Sequence, residues 1–108
     1  MTTQTENHEI AKTILQQLGG NKFIVMTGAK DFTVQSSGLL FKLPSNFAVN
    51  KSNVVEIILD HGTDTYNVTF SRFGRDYKLT KISEHTDIYW DMLTTLFERE
   101  TGLKTRLF

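Results

Sequence analysis

Apolar side chains recur at three- and four-residue spacing at Ile10, Ile14, Leu15 and Leu18, and Gly19-Gly20 follows at once. The spacing predicts an amphipathic helix from about His8 to Leu18. Asn7 is its expected N-cap and the two glycines its C-cap, since glycine takes a left-handed backbone without steric penalty. Met1 to Glu6 is polar and aperiodic and reads as a frayed terminus. Phe23-Ile24-Val25-Met26 is an uninterrupted apolar run closed by Thr27-Gly28, which predicts a short strand folded back on that helix.

Beyond this point the period becomes two. Phe32 and Val34 alternate with polar neighbours, Ser36-Ser37-Gly38 makes a turn, and Leu39, Phe41 and Leu43 alternate again before Pro44 ends the hairpin. Ser45 to Ser52 reads as a polar connection. Val54 to Leu59 is apolar on both sides except at Glu56, the pattern of an inner strand, and His61-Gly62-Thr63-Asp64 supplies a turn. Tyr66, Val68 and Phe70 then alternate with Thr65, Asn67, Thr69 and Ser71. Phe73-Gly74-Arg75-Asp76 reverses the chain, after which Tyr77 and Leu79 open another strand. Thr86-Asp87 marks a helix start, with Ile88, Tyr89, Met92, Leu93, Leu96 and Phe97 on one stripe and Gly102 as C-cap.

These elements predict a single α+β domain over residues 1–108. Its sheet is mainly antiparallel, of about five to six strands, with an N-terminal and a C-terminal amphipathic helix packed on one face and the other face polar and wet. The expected core is Leu18, Phe23, Val25, Phe41, Val55, Ile57, Val68, Phe70, Leu93, Leu96 and Phe97, and the alternation also draws Phe73 and Tyr77 inward.

The 108 residues are enough for one core without a metal or disulfide, and 39% apolar with 22% charged residues is ordinary for a globular protein. No cysteine is present, which excludes disulfides, zinc ribbons and thiol nucleophiles. Neither a membrane-length apolar run nor a signal peptide is visible, so a cytoplasmic protein without membrane attachment is expected. Twelve basic and twelve acidic residues cancel, which argues against duplex DNA as the main partner.

Three segments in order, ILQQLGGNKFIVMTGAK, GLLFKLP and IYWDMLTTLFERETGL, resemble a family of small, uncharacterised proteins encoded in bacteriophage and prophage genomes. The likeness spans about Ile10 to Leu103, with Val25 where the family has a smaller residue. It implies a phage or mobile-element origin and action inside a bacterial host, and brings no activity, cofactor or site.

Chemistry-bearing residues are few. His8, His61 and His85 lack the spacing of a metal site, and the loop from Asp60 to Asp64 is too short for a calcium loop. Gly19-Gly20-Asn21-Lys22 follows a helix where a phosphate loop would follow a strand. Catalytic residues, metal and cofactor are therefore expected to be absent. The basic, aromatic stretch from Arg72 to Lys81 is the most suggestive, because Arg72, Arg75, Lys78 and Lys81 could meet phosphates while aromatic rings stack on bases. Three readings stay open. The first is a non-enzymatic accessory protein acting by contact with a host or phage protein, as an inhibitor of a defence or regulatory factor. The second is a nucleic-acid-binding module using those four basic residues, and the third a small enzyme or metal protein on His61 or His85.

Overall fold

The computed structural model describes residues 4–44 and 47–105. Its elements run α1 (Gln4–Leu18), α2 (Asn21–Thr27), β1 (Lys30–Gln35), β2 (Gly38–Lys42), β3 (Val54–Asp60), β4 (Thr65–Phe73), β5 (Leu79–Ile88), a 3-10 turn (Trp90–Met92) and α3 (Leu93–Thr101). The five strands form one antiparallel sheet in chain order, β1-β2-β3-β4-β5, so each strand pairs with its sequence neighbours. The expected α+β architecture with helices at both ends of the chain is what is found.

Alternation sorts the sheet into two faces. Leu39, Phe41, Val55, Ile57, Tyr66, Val68 and Phe70 point toward the helices and are buried together with Ile14 and Leu18 of α1, Phe23 of α2, and Leu93, Leu96 and Phe97 of α3. Aromatic edges tie the layers. The Phe23 ring meets Phe41 at 5.4 Å and Phe97 at 5.1 Å in edge-to-face geometry, and Phe97 also lies 6.5 Å from Phe70. One residue of α2 thus joins the middle of the sheet to the last helix.

The predicted strand at Phe23-Met26 is instead helix α2. A four-residue apolar run carries no period of its own, and here the helical one wins: Phe23 and Thr27, four apart, are the buried pair, while Val25 is 72% exposed. Val25 therefore leaves the expected core. Thr27 Oγ1 donates to the Phe23 carbonyl at 2.7 Å, and Gly28 ends the helix with φ 75°. Gly19 and Gly20 do hold positive φ, 128° and 62°, and the Gly20 N–H reaches the Leu15 carbonyl at 2.8 Å, closing α1 as the glycine pair predicts.

Both outer helix boundaries also move. Gln4 to Glu6 belong to α1, so Asn7 sits inside the helix and its Oδ1 accepts from the Ser37 N–H at 2.8 Å, pinning α1 to the β1–β2 turn in place of capping. Met1 to Thr3, like Ser45 and Asn46 of the polar connection, lie outside the described residues. At the other end Thr86-Asp87 starts no helix. Strand β5 continues to Ile88, with register shifts against β4 and Asp87 at φ 58°, and α3 begins only at Leu93. Gly102 closes α3 with φ 73°, its N–H on the Glu98 carbonyl at 2.8 Å.

The far face of the sheet is uncovered by any described residue but is not simply polar. Leu40, Val54, Ile58, Phe73 and Leu79 share it with Lys30, Lys42, Lys81, Glu56 and Glu84. Phe73 and Tyr77 are exposed, correcting their expected place in the core: the β4–β5 turn extends to Lys78, and Tyr77 lies in it at φ 61° and is 84% exposed.

Candidate functional site

The strands run between two oppositely charged ends. β3 starts at Val54 and finishes at Asp60, roughly 20 Å away at strand rise. Around the Val54 end gather Lys30, Lys42, Lys51, Arg72, Arg75, Lys78 and Lys81, with Asp31, Asp76 and, beside Lys81, Glu84 as acidic residues among them. Around the Asp60 end gather Glu6, Glu9, Asp60, Asp64, Asp87 and Asp91, with Lys12, His8 and His61 as the basic ones. Zero net charge therefore conceals a separation along the strand direction.

At the basic end the four residues singled out in the sequence do not form one patch. Arg72 pairs in register with Thr80 and Lys81 with Ser71, so their side chains leave opposite faces of the sheet. Arg72 Nη1 donates to the Lys51 carbonyl at 3.0 Å, and Lys81 Nζ to Glu84 Oε1 at 3.3 Å. Arg75 and Lys78 are exposed in the turn beside Tyr77, whose ring meets Phe73 edge-on at 6.3 Å. Lys30 and Lys42 carry no signal in the sequence pattern. These face each other directly across β1 and β2, above a concavity of about 220 Å³ that Asp31, Asn53 and Phe73 also line.

At the acidic end the β5–α3 connection presents Tyr89, Trp90 and Met92 to solvent, Trp90 being 62% exposed. Sequence periodicity assigned Tyr89 and Met92 to a buried stripe, and only the longer β5 turns them outward. Trp90 closes a groove of about 340 Å³ against α1 and the β3–β4 hairpin, lined by Ile10, Leu59 and Tyr66 with Glu9 and Asp64. Its wall is fixed: Tyr66 donates from its hydroxyl to Gln17 Oε1 at 2.8 Å, and burial of the ring raises the phenol pKa, keeping it a neutral donor. A second hollow lined by Thr13, Gln16 and Gln17 continues the groove along α1 on the other side of Trp90.

His61 and His85 each tie two elements together. His61 Nε2 and Ser37 Oγ are hydrogen-bonded at 2.9 Å, joining two turns. His85 Nε2 lies 2.8 Å from Glu100 Oε1, which also accepts from Ser83 Oγ at 2.9 Å, so β5 is tied to α3. The hydrogen bond from His85 holds the Glu100 carboxyl below its ordinary range. Ser83 and His85 share Glu100 as their partner, whereas Ser37 and His61 are the serine and histidine that meet directly. Among the described residues no three acidic or histidine side chains gather as a metal site would require, and no helix is long and apolar enough to cross a membrane.

Compared with known protein families, curated proteins and solved structures, the chain matches none.

Proposed function

We propose that this is a non-enzymatic accessory protein of phage or mobile-element origin that works in the cytoplasm of a bacterial host by binding a protein, a defence or regulatory factor whose action it blocks. The observation that carries the reading is the adjacent exposure of Tyr89, Trp90 and Met92 on a short connection held between β5 and α3. Large aromatic anchors on a rigid frame supply most of the energy of protein interfaces, and a free surface rarely presents three together without a partner. Capture from host lysate tests it: the wild-type protein should retain a stoichiometric protein that Trp90→Ala releases. Recovery of nucleic acid with no such protein would overturn it.

A second reading, a nucleic-acid-binding module, is favoured by the opposition of Lys30 and Lys42 next to exposed Phe73 and Tyr77. Like charges placed face to face repel unless an anion joins them, and the neighbouring rings offer bases a stacking surface. Binding of single-stranded oligonucleotide at low salt, weakened by Lys42→Ala and Lys78→Ala with a salt slope lower by about 0.7 per lost contact, would put this reading first.

A further inference from the structure

We infer that the groove closed by Trp90 seats an arginine of the partner protein, presented on a basic segment that lies along α1. The inference rests on the protein-contact reading and names the chemistry of the segment that binds.

The groove has the parts such a side chain needs. Ile10, Leu59 and the Tyr66 ring give it apolar wall for an aliphatic stem, with Thr13 and Gln17 as the uncharged polar lining. Glu9 on α1 and Asp64 on the β3–β4 turn place carboxylates on two different elements of the lining, and no lysine or arginine among the described residues lines it. Neither carboxylate makes an ion pair among the described residues. The exposed indole of Trp90 offers the best aromatic face for a cation, and a guanidinium, planar and weakly hydrated, can stack there while its N–H groups fork to an acid. An ammonium would make only the point-charge contact.

Charge around the groove selects the same occupant. Asp60, Asp87 and Asp91 add negative potential, against which α1 sets His8, beside Glu9 in sequence, and Lys12, one turn on. An acidic or purely apolar segment would be repelled or would leave the carboxylates unmatched. The adjoining hollow beside Gln16 and Gln17 gives the flanking backbone amide partners in a line that continues from the groove.

Trp90 is the only tryptophan in the chain, so its fluorescence reports the site directly. Titration with an arginine hexapeptide should give a saturable change in Trp90 emission. Citrulline in place of arginine, which keeps the shape and removes the charge, should abolish it, and lysine should weaken it several-fold. Glu9→Gln with Asp64→Asn should weaken the arginine peptide at least tenfold, whereas Arg75→Ala with Lys78→Ala at the opposite end should leave it unchanged. No emission change, an equal response to a glutamate hexapeptide, or binding indifferent to the two carboxamide substitutions would overturn the inference. Emission that shifts with protein concentration alone would also overturn it, by making a second copy of the chain the occupant. The lysate capture is read separately: a captured protein that survives the carboxamide substitutions removes the arginine site and leaves the function, while a bound arginine peptide with no captured protein does the reverse.

Discussion

Lys30 and Lys42 stand directly opposite one another because β1 is bulged at Asp31-Phe32. From the Gln35–Gly38 closure inward the hairpin is regular as far as Thr33 and Leu40, and two more regular steps would bring Asp31 opposite Lys42. The bulge, with Asp31 at φ 55°, substitutes a repelling pair for an attracting one. Local electrostatics is given up at this point of the sheet.

Lys30→Glu should therefore stabilise the protein by about 0.5 kcal/mol at low ionic strength, and by less in high salt. Urea midpoints at the two salt concentrations measure it. A loss of stability on substitution would mean that the two ammonium groups do not confront each other. If the nucleic-acid reading holds, the same variant gains stability while losing oligonucleotide binding.

Phe23→Ala should cost about 3 to 5 kcal/mol, because the ring is fully buried between Phe41 and Phe97. Val25→Ala, two residues on, should cost under about 0.5 kcal/mol. Denaturant unfolding of both variants distinguishes α2 from the alternating strand that the sequence suggests: a strand would place both side chains on one face and make both substitutions costly.

Gly20→Ala and Gly28→Ala separate backbone strain from crowding. Both positions have positive φ, but a Cβ at Gly20 would meet nothing within 4 Å, whereas one at Gly28 would lie 2.9 Å from Pro44 Cγ. The first should cost about 1 to 3 kcal/mol from backbone strain alone, since φ 62° with ψ −133° is a conformation essentially glycine's own, and the second more than the roughly 1 kcal/mol of its left-handed φ. A Gly28→Ala loss no larger than the left-handed penalty, measured by denaturant unfolding, would contradict the packing of Pro44 against the end of α2.

Glu100 links stability to acid. Its folded pKa is depressed, chiefly by the hydrogen bond from His85, so the stability it contributes is fully present above the ordinary glutamate value and is lost as pH falls through the lower folded value. Glu100→Gln should flatten the acid limb of the stability curve below that ordinary value and lower stability at neutral pH. A variant whose acid unfolding follows the wild-type curve would show that the link between β5 and α3 contributes no measurable stability.

The sheet was legible because β2 and β4 alternate with a period of two and β3 is an apolar run between turn signals: Phe41, Val55, Ile57, Val68 and Phe70 are core as expected. Errors collect where the period is short or interrupted. Phe23-Met26 is too brief to carry any period, and the shifts that lengthen β5 disrupt the alternation between Leu79 and Ile88, so its last residues resemble a helix start. The same interruptions hide the candidate sites. Lys30 meets Lys42 only through a bulge, and Trp90 reaches the groove only because β5 runs on to Ile88. Arg72 and Lys81 look like neighbours in sequence, and strand pairing sends them to opposite faces.

Strand order equal to chain order governs how quickly this protein can assemble. Every pairing in the sheet joins consecutive strands, and three of the four connections are short turns, so little loop entropy is lost before pairing begins to be rewarded. The docking of α1 and α2 against α3, from opposite sides of the sheet in sequence, is what requires distant parts of the chain to meet. The meander can therefore zip from any of its turns, and contact order places its folding rate above that of Greek-key sheets of similar length.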